Sequence, residues 1–293
     1  KNADAIFLAA GSGSGETVKF LLEEGVDPLQ TNHKEQTPLF EAASSGSVDA
    51  IKLLLGKGAD PTRTDKYGTT PLFGAAGSGS VEAVELLLEE GVDPGQTDDH
   101  GTTPLFNAAG SGSVEVVELL LEEGADPTQV GSNGKTAIFN AARSGSVEVA
   151  ELLVENGADP THSTDDATLY DDPMTPALPA AKAAKDGSLD MLKFFIEKGA
   201  DLDCVGENRK TPLHRVVSSK EATRLLIEGG AEVDKPDSIG MTPLHEAVSG
   251  GNIETIRALL DAGASPRRST ENKRNPLWFA AGVDSEEMVK VLS

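Results

Sequence analysis

A 33-residue spacing constrains the fold of this chain more than any other feature of its sequence. The stretch GSGSVE begins at Gly77 and again at Gly110, and the triplet TPL begins at Thr70 and again at Thr103. Related triplets continue the pattern along the chain, at Thr37, Thr136, Thr211, Thr242 and Asn275. A fixed period of this length is typical of architectures in which one short structural module is stacked many times.

Each repeat predicts two short helices. The clearest copy is TTPLFNAAGSGSVEVVELLLEEGADP, residues 102–127. Pro104 suits the first turn of one helix, and Gly124 suits the end of the other, where a positive φ is common. The second helix has apolar residues on one side and glutamates on the other. Because two such helices cannot enclose a core by themselves, we expect stacked copies to share one extended core.

The GSGSVE stretch is predicted to be the turn between the two helices. Ser113 is placed to cap the second helix, and Glu115 is favoured near its positive end. A dinucleotide-binding loop would need a third glycine where Glu82 stands. A GxSxG nucleophile turn would need serine where Gly13 stands, so neither kind of catalytic loop is indicated.

The repeat resembles the ankyrin repeat, since TPLH occurs at residues 211–214 and 242–245 in register with the turn glycine, the paired leucines and GAD. The resemblance covers essentially all of residues 1–293, which we expect to form a single domain. Nine repeats are predicted, starting at Asp4, Thr37, Thr70, Thr103, Thr136, Leu178, Thr211, Thr242 and Asn275. The resemblance implies an all-α solenoid of antiparallel helix pairs joined by short β-hairpin fingers, curved around a concave binding face.

The formal net charge of −23 excludes several classes of function. Nucleic-acid binding depends on lysine and arginine at the phosphates, so none is expected. The single cysteine, Cys204, excludes a disulfide framework and a cysteine-based zinc site. It favours an intracellular chain, cytoplasmic or nuclear. No apolar run approaches the length of a membrane span, and no HxxxH pair or convergent nucleophile and base is present. We expect no cofactor, no metal and no enzymatic activity.

The function implied by the resemblance is a protein-protein interaction scaffold that binds a protein or peptide, of basic character given the acidic chain. We expect a monomer. Because the sequence starts at a repeat without Met and stops inside a second helix, we also expect it to be part of a larger receptor or adaptor. Two alternatives remain open: a ligand-sensing domain that regulates an attached catalytic domain, which an enclosed pocket near Tyr170 would favour, and a structural spacer.

By analogy with the family, the binding face consists of finger tips and of first-helix positions just after the paired alanines. These positions predict one set of partner-binding residues: Lys66, Tyr67, Asp98, Asp99 and His100 on the tips, and Ser78, Ser111 and Arg143 on the helices. Most of the helix positions are small, which permits a partner to approach closely. The competing interpretation is that all of them are solvated turn residues.

Two repeats depart from the common length. The finger between repeats five and six, residues 161–177, carries an insertion that contributes further candidate partner-binding residues, Asp165, Asp166, Leu169, Tyr170, Asp171 and Asp172. The order of these aspartates does not match a calcium-binding loop, so an acidic clamp for a basic peptide or a disordered decoration is predicted. Counting back from Gly187 and Ser188 places the start of repeat six at Leu178. Repeat seven lacks two residues near Ser218, and a local kink is predicted there.

Successive repeats replace the histidine of TPLH by phenylalanine, at Phe40, Phe73, Phe106 and Phe139. These rings either fill the core between repeats or form an apolar stripe for a partner. Burying each ring contributes about 1.5 to 3 kcal/mol, and exposing four would invite aggregation, so the core is favoured.

Overall fold

The computed structural model describes residues 3–164, 175–184, 188–283 and 285–293. The chain divides into two compact units, Lys1–Asp159 and Pro160–Ser293, called the N-terminal body and the C-terminal body below. The described residues form eighteen α-helices, one 3-10 turn and no strand, which confirms the all-α prediction. Within the described ranges, no helix combines the length and apolar character needed to cross a bilayer.

The N-terminal body contains five helix pairs. Its helices are α1 (Ala3–Gly11), α2 (Gly15–Glu23), α3 (Pro38–Ser44), α4 (Val48–Leu55), α5 (Pro71–Ser78), α6 (Val81–Glu89), α7 (Pro104–Ser111), α8 (Val114–Glu122), α9 (Ala137–Ser144) and α10 (Val147–Glu155). The odd-numbered helices pack on one another in chain order, and so do the even-numbered ones. The body is therefore a stack of two helical layers, as predicted for repeats that share a core.

The described part of the C-terminal body contains four helix pairs in the same arrangement. Its helices are α11 (Ala177–Ala184), α12 (Asp190–Glu197), α13 (Pro212–Val216), α14 (Lys220–Glu228), α15 (Pro243–Ser249), α16 (Ile253–Asp261), α17 (Pro276–Gly282) and α18 (Glu286–Leu292). A 3-10 turn at Glu207–Arg209 precedes α13. We refer to the odd-numbered helix of each repeat as its first helix.

Local sequence accounts for the turn between the two helices of a repeat. In repeat four the first helix ends at Gly112, whose φ of 77° is accessible to glycine at little cost. The next residue, Ser113, caps α8 by accepting a hydrogen bond from the backbone N–H of Val116. The GSGSVE stretch is thus a structural turn, as predicted.

The described fingers contain no β-strand, so the predicted β-hairpins are wrong in this respect. In the finger of residues 98–102, the backbone N–H of Asp98 donates to the carbonyl of Thr102 at 3.0 Å. A hairpin pair would return the bond from the Thr102 N–H to the Asp98 carbonyl. That N–H donates instead to the Asp98 side chain, to Oδ1 at 2.8 Å. The side chain of Asp98 thus takes the place of one of the two backbone hydrogen bonds of a hairpin pair. The finger is a turn that this side chain braces.

Repeat six begins earlier than the sequence analysis placed it. The N–H of Leu178 donates to the carbonyl of Thr175 at 3.1 Å, just as the N–H of Phe40 donates to Thr37 at 3.0 Å. Thr175 therefore takes the place of the repeat threonine, and the predicted start at Leu178 is wrong. The first helix of this repeat, α11, accordingly begins at Ala177, one residue before the predicted start of the repeat.

Repeat seven differs from its neighbours by a shortened helix. Its first helix, α13, has five residues, and the chain leaves it through Val217 in the right-handed helical region. The N–H of Ser219 then donates to the carbonyl of Val216 at 2.7 Å, and Ser219 caps α14. The missing residues thus remove the end of a helix, whereas the prediction was a kink.

The core of the N-terminal body runs between its two layers. Leu39, Leu72 and Leu105 are fully buried. The rings of the phenylalanine series are at most 5% exposed, at Phe40, Phe73, Phe106 and Phe139. These rings lie in the core, as the favoured interpretation predicted, and they are not available as a stripe for a partner.

Candidate partner-binding surface

The exposed ends of the first helices in the N-terminal body form a continuous series of mostly small residues. We call this the first-helix face: Ser44, Ser45, Gly77, Ser78, Gly110, Ser111, Arg143 and Ser144. All are exposed except Gly110, which is partly covered. Adjacent first helices pack directly on one another, so the face extends from repeat to repeat. A surface of small residues lets a partner's backbone or helix approach closely.

The predicted site residues Ser78 and Ser111 lie on this face, but each hydroxyl also has a structural role. Ser78 Oγ donates to the carbonyl of Ala75 at 2.7 Å, and Ser111 Oγ donates to Ala108 at 2.8 Å. Ser111 Oγ also accepts from the N–H of Ser113 at 3.3 Å. These hydroxyls close the helix end, so their donor capacity is already used within the chain.

The finger tips are joined to one another by backbone hydrogen bonds. The N–H of Lys66 donates to the carbonyl of Lys34 at 3.1 Å, and the N–H of Asp99 donates to the carbonyl of Tyr67 at 2.9 Å. The side chains of these tips point outward: Tyr67 is 44% exposed, and Lys66 Nζ lies 4.9 Å from the centre of its ring. The backbones of neighbouring tips thus hold one another in place, and their side chains are available for recognition.

The sequence analysis grouped Asp98, Asp99 and His100 as binding residues, and the structure separates them. Asp98 braces its finger, since its carboxylate accepts from the N–H of His100, the N–H of Thr102 and the hydroxyl of Thr102 at 2.8 to 2.9 Å. Asp99 and His100 are exposed at the tip. A partner can reach Asp99 and His100 without disturbing the brace.

Arg143 extends across the first-helix face toward the neighbouring repeat. One of its guanidinium nitrogens lies 3.8 Å from the point where a Cβ on Gly110 would stand. Lys135 immediately precedes the threonine of the same repeat. Burial and the Arg143 guanidinium together hold the pKa of the Lys135 ammonium below its usual value.

The sequence analysis missed Lys135, although a signal was present. Residues 67–181 contain only two basic residues, Lys135 and Arg143. Their spacing places both in one repeat, one before its first helix and one near the end of that helix. Isolated basic residues in so acidic a stretch were the available clue.

The two TPLH histidines are structural. His245 is fully buried, and its Nδ1 accepts from the N–H of Thr242 at 3.0 Å while Nε2 lies 3.3 Å from the carbonyl of Arg274. His214 repeats this arrangement with Thr211 and Met241. Burial is the main cause that lowers the pKa of both imidazoles, so they are neutral links between neighbouring repeats.

Within the C-terminal body, a half-open cleft of about 320 Å³ lies beside Cys204 and Thr175. Burial raises the pKa of the Cys204 thiol, and Thr175 Oγ1 lies 3.1 Å from its sulfur. Such a thiol is a poor nucleophile. The described residues hold no group of three or more metal-ligating side chains. The candidates Asp165, Asp166, Leu169, Tyr170, Asp171 and Asp172 lie outside the described residues, so their role in partner binding stays a prediction.

Comparisons with known proteins identify the repeat. A family model for ankyrin repeats (3 copies) matches residues 6–98, 75–164 and 180–270. A search of curated proteins finds no significant match. The three matched stretches include most of both bodies and follow the same register of helix pairs. The chain belongs to the ankyrin repeat family, whose members are generally protein-protein interaction modules and are typically not catalytic.

Proposed function

We propose that the chain binds a protein or peptide through the first-helix face and finger tips of the N-terminal body. The observation that supports this most is the run of small exposed residues from Ser44 to Ser144, bordered by connected tips with exposed Lys66 and Tyr67. Small side chains give a partner access to the helix ends. The tips supply an aromatic ring and charges for specificity.

The charge of the chain supports a partner of overall basic character. Residues 1–160 carry 26 acidic and 9 basic residues, so the field around this body is strongly negative. Such a field raises the association rate of a positively charged partner and discourages acidic ones. In this proposal the chain is a recognition part of a receptor or adaptor and performs no chemistry itself.

The test places one larger side chain on the first-helix face, by substitution of Gly77. Gly77 lies within α5, and a Cβ there would meet Asn107 Cβ at an ordinary 3.7 Å, so Gly77→Gln is tolerated by the fold. We expect peptides selected from a random library on the unmodified chain to bind Gly77→Gln about tenfold more weakly, since close packing at an interface centre carries much of the affinity.

The matched control is Gly282→Gln in the last repeat. Gly282 occupies the corresponding helix position, where a Cβ would have nothing within 4 Å. It lies in the C-terminal body and so outside the proposed site. Peptides whose affinity is unchanged by Gly77→Gln, or equally reduced by both substitutions, would contradict the proposal.

A further inference from the structure

The finger between repeats eight and nine carries a charge opposite to that of the chain as a whole. Residues 264–278 contain four basic residues and one acidic residue, in a chain of 25 basic and 48 acidic residues. The basic residues are Arg267, Arg268, Lys273 and Arg274, and all four are exposed. We call residues 267–274 the basic finger. It is a local positive surface on the C-terminal body.

The four basic residues of this finger have no opposite charge bound to them. Five other basic side chains of the same body each form an ion pair with a carboxylate: Lys193, Lys210, Lys220, Arg257 and Lys290. Among the described residues, no carboxylate lies at ion-pair distance from the four. Asp234 reaches the base of the finger, but both of its carboxylate oxygens accept from the backbone N–H of Ser265, at 3.1 Å. The positive charge is therefore available to a binding partner.

Hydrogen bonds hold the backbone of the basic finger in a defined shape. The N–H of Thr270 donates to the carbonyl of Arg274 at 2.9 Å, and the N–H of Arg274 donates to Thr270 Oγ1 at 3.3 Å. The buried imidazole of His245 lies 3.3 Å from the same Arg274 carbonyl. The N–H of Glu271 donates to the carbonyl of Ile239 in the preceding finger at 3.1 Å. Because the backbone is already fixed at these points, little of its freedom is lost when a partner binds.

One of the four charges also lies against an exposed aromatic ring. The guanidinium carbon of Arg274 is 4.0 Å from the centre of the Trp278 ring, within the range of a cation–π contact. Trp278 is 50% exposed. A guanidinium can offer a carboxylate two parallel N–H groups, and arginine and tryptophan are the residue types that most often dominate the affinity of an interface. Arg274 and Trp278 together suit the binding of a carboxylate.

We propose that the basic finger and Trp278 bind an acidic peptide segment of a partner protein. In this arrangement one aspartate or glutamate of the segment pairs with Arg274, and others pair with Arg267 and Arg268. Charge complementarity argues for this occupant, because four exposed cations without ion pairs, on a fixed backbone, attract a run of carboxylates. The inference goes beyond the proposed function and does not depend on it, since it concerns the other body and a partner segment of the opposite charge.

The experiment uses Trp278 as its reporter, because the single tryptophan of the chain lies in the proposed site. The probe is a tryptophan-free peptide selected on the full chain from a library of acidic peptides, and its binding is followed by the emission of Trp278. We expect a saturable change of emission. Arg274→Gln should weaken binding about tenfold, as is typical of losing a hydrogen bond between charged groups. Arg274→Lys keeps the charge but not the planar pair of donors, so its affinity should lie between the two.

The matched control is Arg224→Gln. Arg224 is an exposed arginine of α14 in repeat seven, so its replacement removes the same charge from the same body outside the basic finger. We expect the affinity for the probe to be unchanged in this variant. Urea unfolding of each variant checks that the fold is kept.

The results distinguish a specific site from general attraction. Equal weakening by Arg274→Gln and Arg224→Gln, or a selection that yields no peptide sensitive to Arg274→Gln, overturns the proposed site. The same holds if the probe binds equally well after its acidic residues are replaced by their amides. Sedimentation that shows the chain associating with itself, and losing this association in Arg274→Gln, would assign the basic finger to an acidic surface of a second copy and overturn the proposed partner. Weakening confined to the basic-finger variants supports the site.

Discussion

The hydroxyl of the threonine that begins a repeat has different hydrogen-bond partners in the two bodies. In the C-terminal body, Thr211 Oγ1 and Thr242 Oγ1 each lie 2.9 Å from the Nδ1 of the histidine three residues later. In the N-terminal body that histidine is replaced by phenylalanine. The hydroxyls of Thr37, Thr70, Thr103 and Thr136 are buried and have no hydrogen-bond partner among the described residues.

The difference teaches that the same helix stack is held together in two ways. The C-terminal body links a repeat to the next finger through a buried imidazole, whereas the N-terminal body uses an aromatic ring and accepts four unpartnered hydroxyls. An unpartnered buried hydroxyl costs about 1 to 3 kcal/mol, and a buried phenylalanine contributes about 1.5 to 3 kcal/mol. These two free energies are of similar size, so replacing histidine by phenylalanine changes the stability little, even when the replacement recurs in successive repeats.

The largest loss of stability is expected from replacing the histidine of the C-terminal body by the phenylalanine of the N-terminal body. His245→Phe leaves the Thr242 N–H, the Thr242 hydroxyl and the Arg274 carbonyl without the imidazole. We expect the free energy of unfolding of the C-terminal body to fall by about 2 to 4 kcal/mol. Urea unfolding followed by fluorescence of Trp278, the single tryptophan of the chain, measures it.

The reciprocal change, Phe106→His, is the control for this exchange. It removes apolar packing but gives Thr103 Oγ1 the partner that its counterparts have in the C-terminal body. A smaller loss than for His245→Phe is expected, measured by hydrogen exchange of α7. Equal losses of stability in His245→Phe and Phe106→His would show that the hydrogen bonds of the imidazole contribute no more than the packing of the phenylalanine. That result would contradict the difference between the two bodies.

A smaller and more selective effect is expected at the threonine itself. Thr242→Val removes a bonded hydroxyl and lowers the stability of the C-terminal body by about 1 to 2 kcal/mol. Thr103→Val removes an unpartnered one, and a neutral or stabilising result is expected in the N-terminal body. Urea unfolding and hydrogen exchange of the two single variants check this, and an equal loss in both bodies would show that the N-terminal hydroxyls are satisfied in solution.

The smallest effect is expected from pH. Burial lowers the folded-state pKa of His214 and His245 below the ordinary value of 6.5, so the unfolded chain binds more protons than the folded one as the solution becomes acidic. The contribution of these groups is complete above about pH 6.5 and declines as the pH falls below it. The urea midpoint of the Trp278 signal should therefore drop between pH 7.5 and pH 5.5.

The control for the pH effect is the double variant His214→Phe, His245→Phe. Its midpoint is lower at every pH, but the part of the pH slope caused by the two histidines is absent. A slope that is unchanged in the double variant would assign the acid sensitivity of this body to its carboxylates instead.

Much of this fold follows from the sequence, because the signals are local and repeated. Pro104 at the start of α7, Ser113 as the cap of α8 and Gly112 with its positive φ are all found where the pattern indicates. The burial of the phenylalanine series could also be predicted, since exposing large rings in a row is unfavourable. Each of these features depends on residues within one repeat.

The features that the sequence analysis missed depend on the hydrogen bonds that particular side chains make in the folded chain. The sequence analysis noted that phenylalanine replaces the histidine of TPLH, but not that Thr103 thereby lacks a hydrogen-bond partner. The brace by Asp98 in place of a hairpin bond required the position of a side-chain oxygen.

The inter-repeat bond at the first helices has a consequence for the size of the molecule. Asn107 Nδ2 donates to the carbonyl of Phe73 at 2.9 Å, and Asn140 Nδ2 donates to the carbonyl of Phe106 at 2.8 Å. Loss of residues 103–135 would bring Asn140 to the place that Asn107 now occupies and restore the same junction. Repeat four is therefore an interchangeable module, so its gain or loss changes the reach of the protein while preserving the chemistry of this junction.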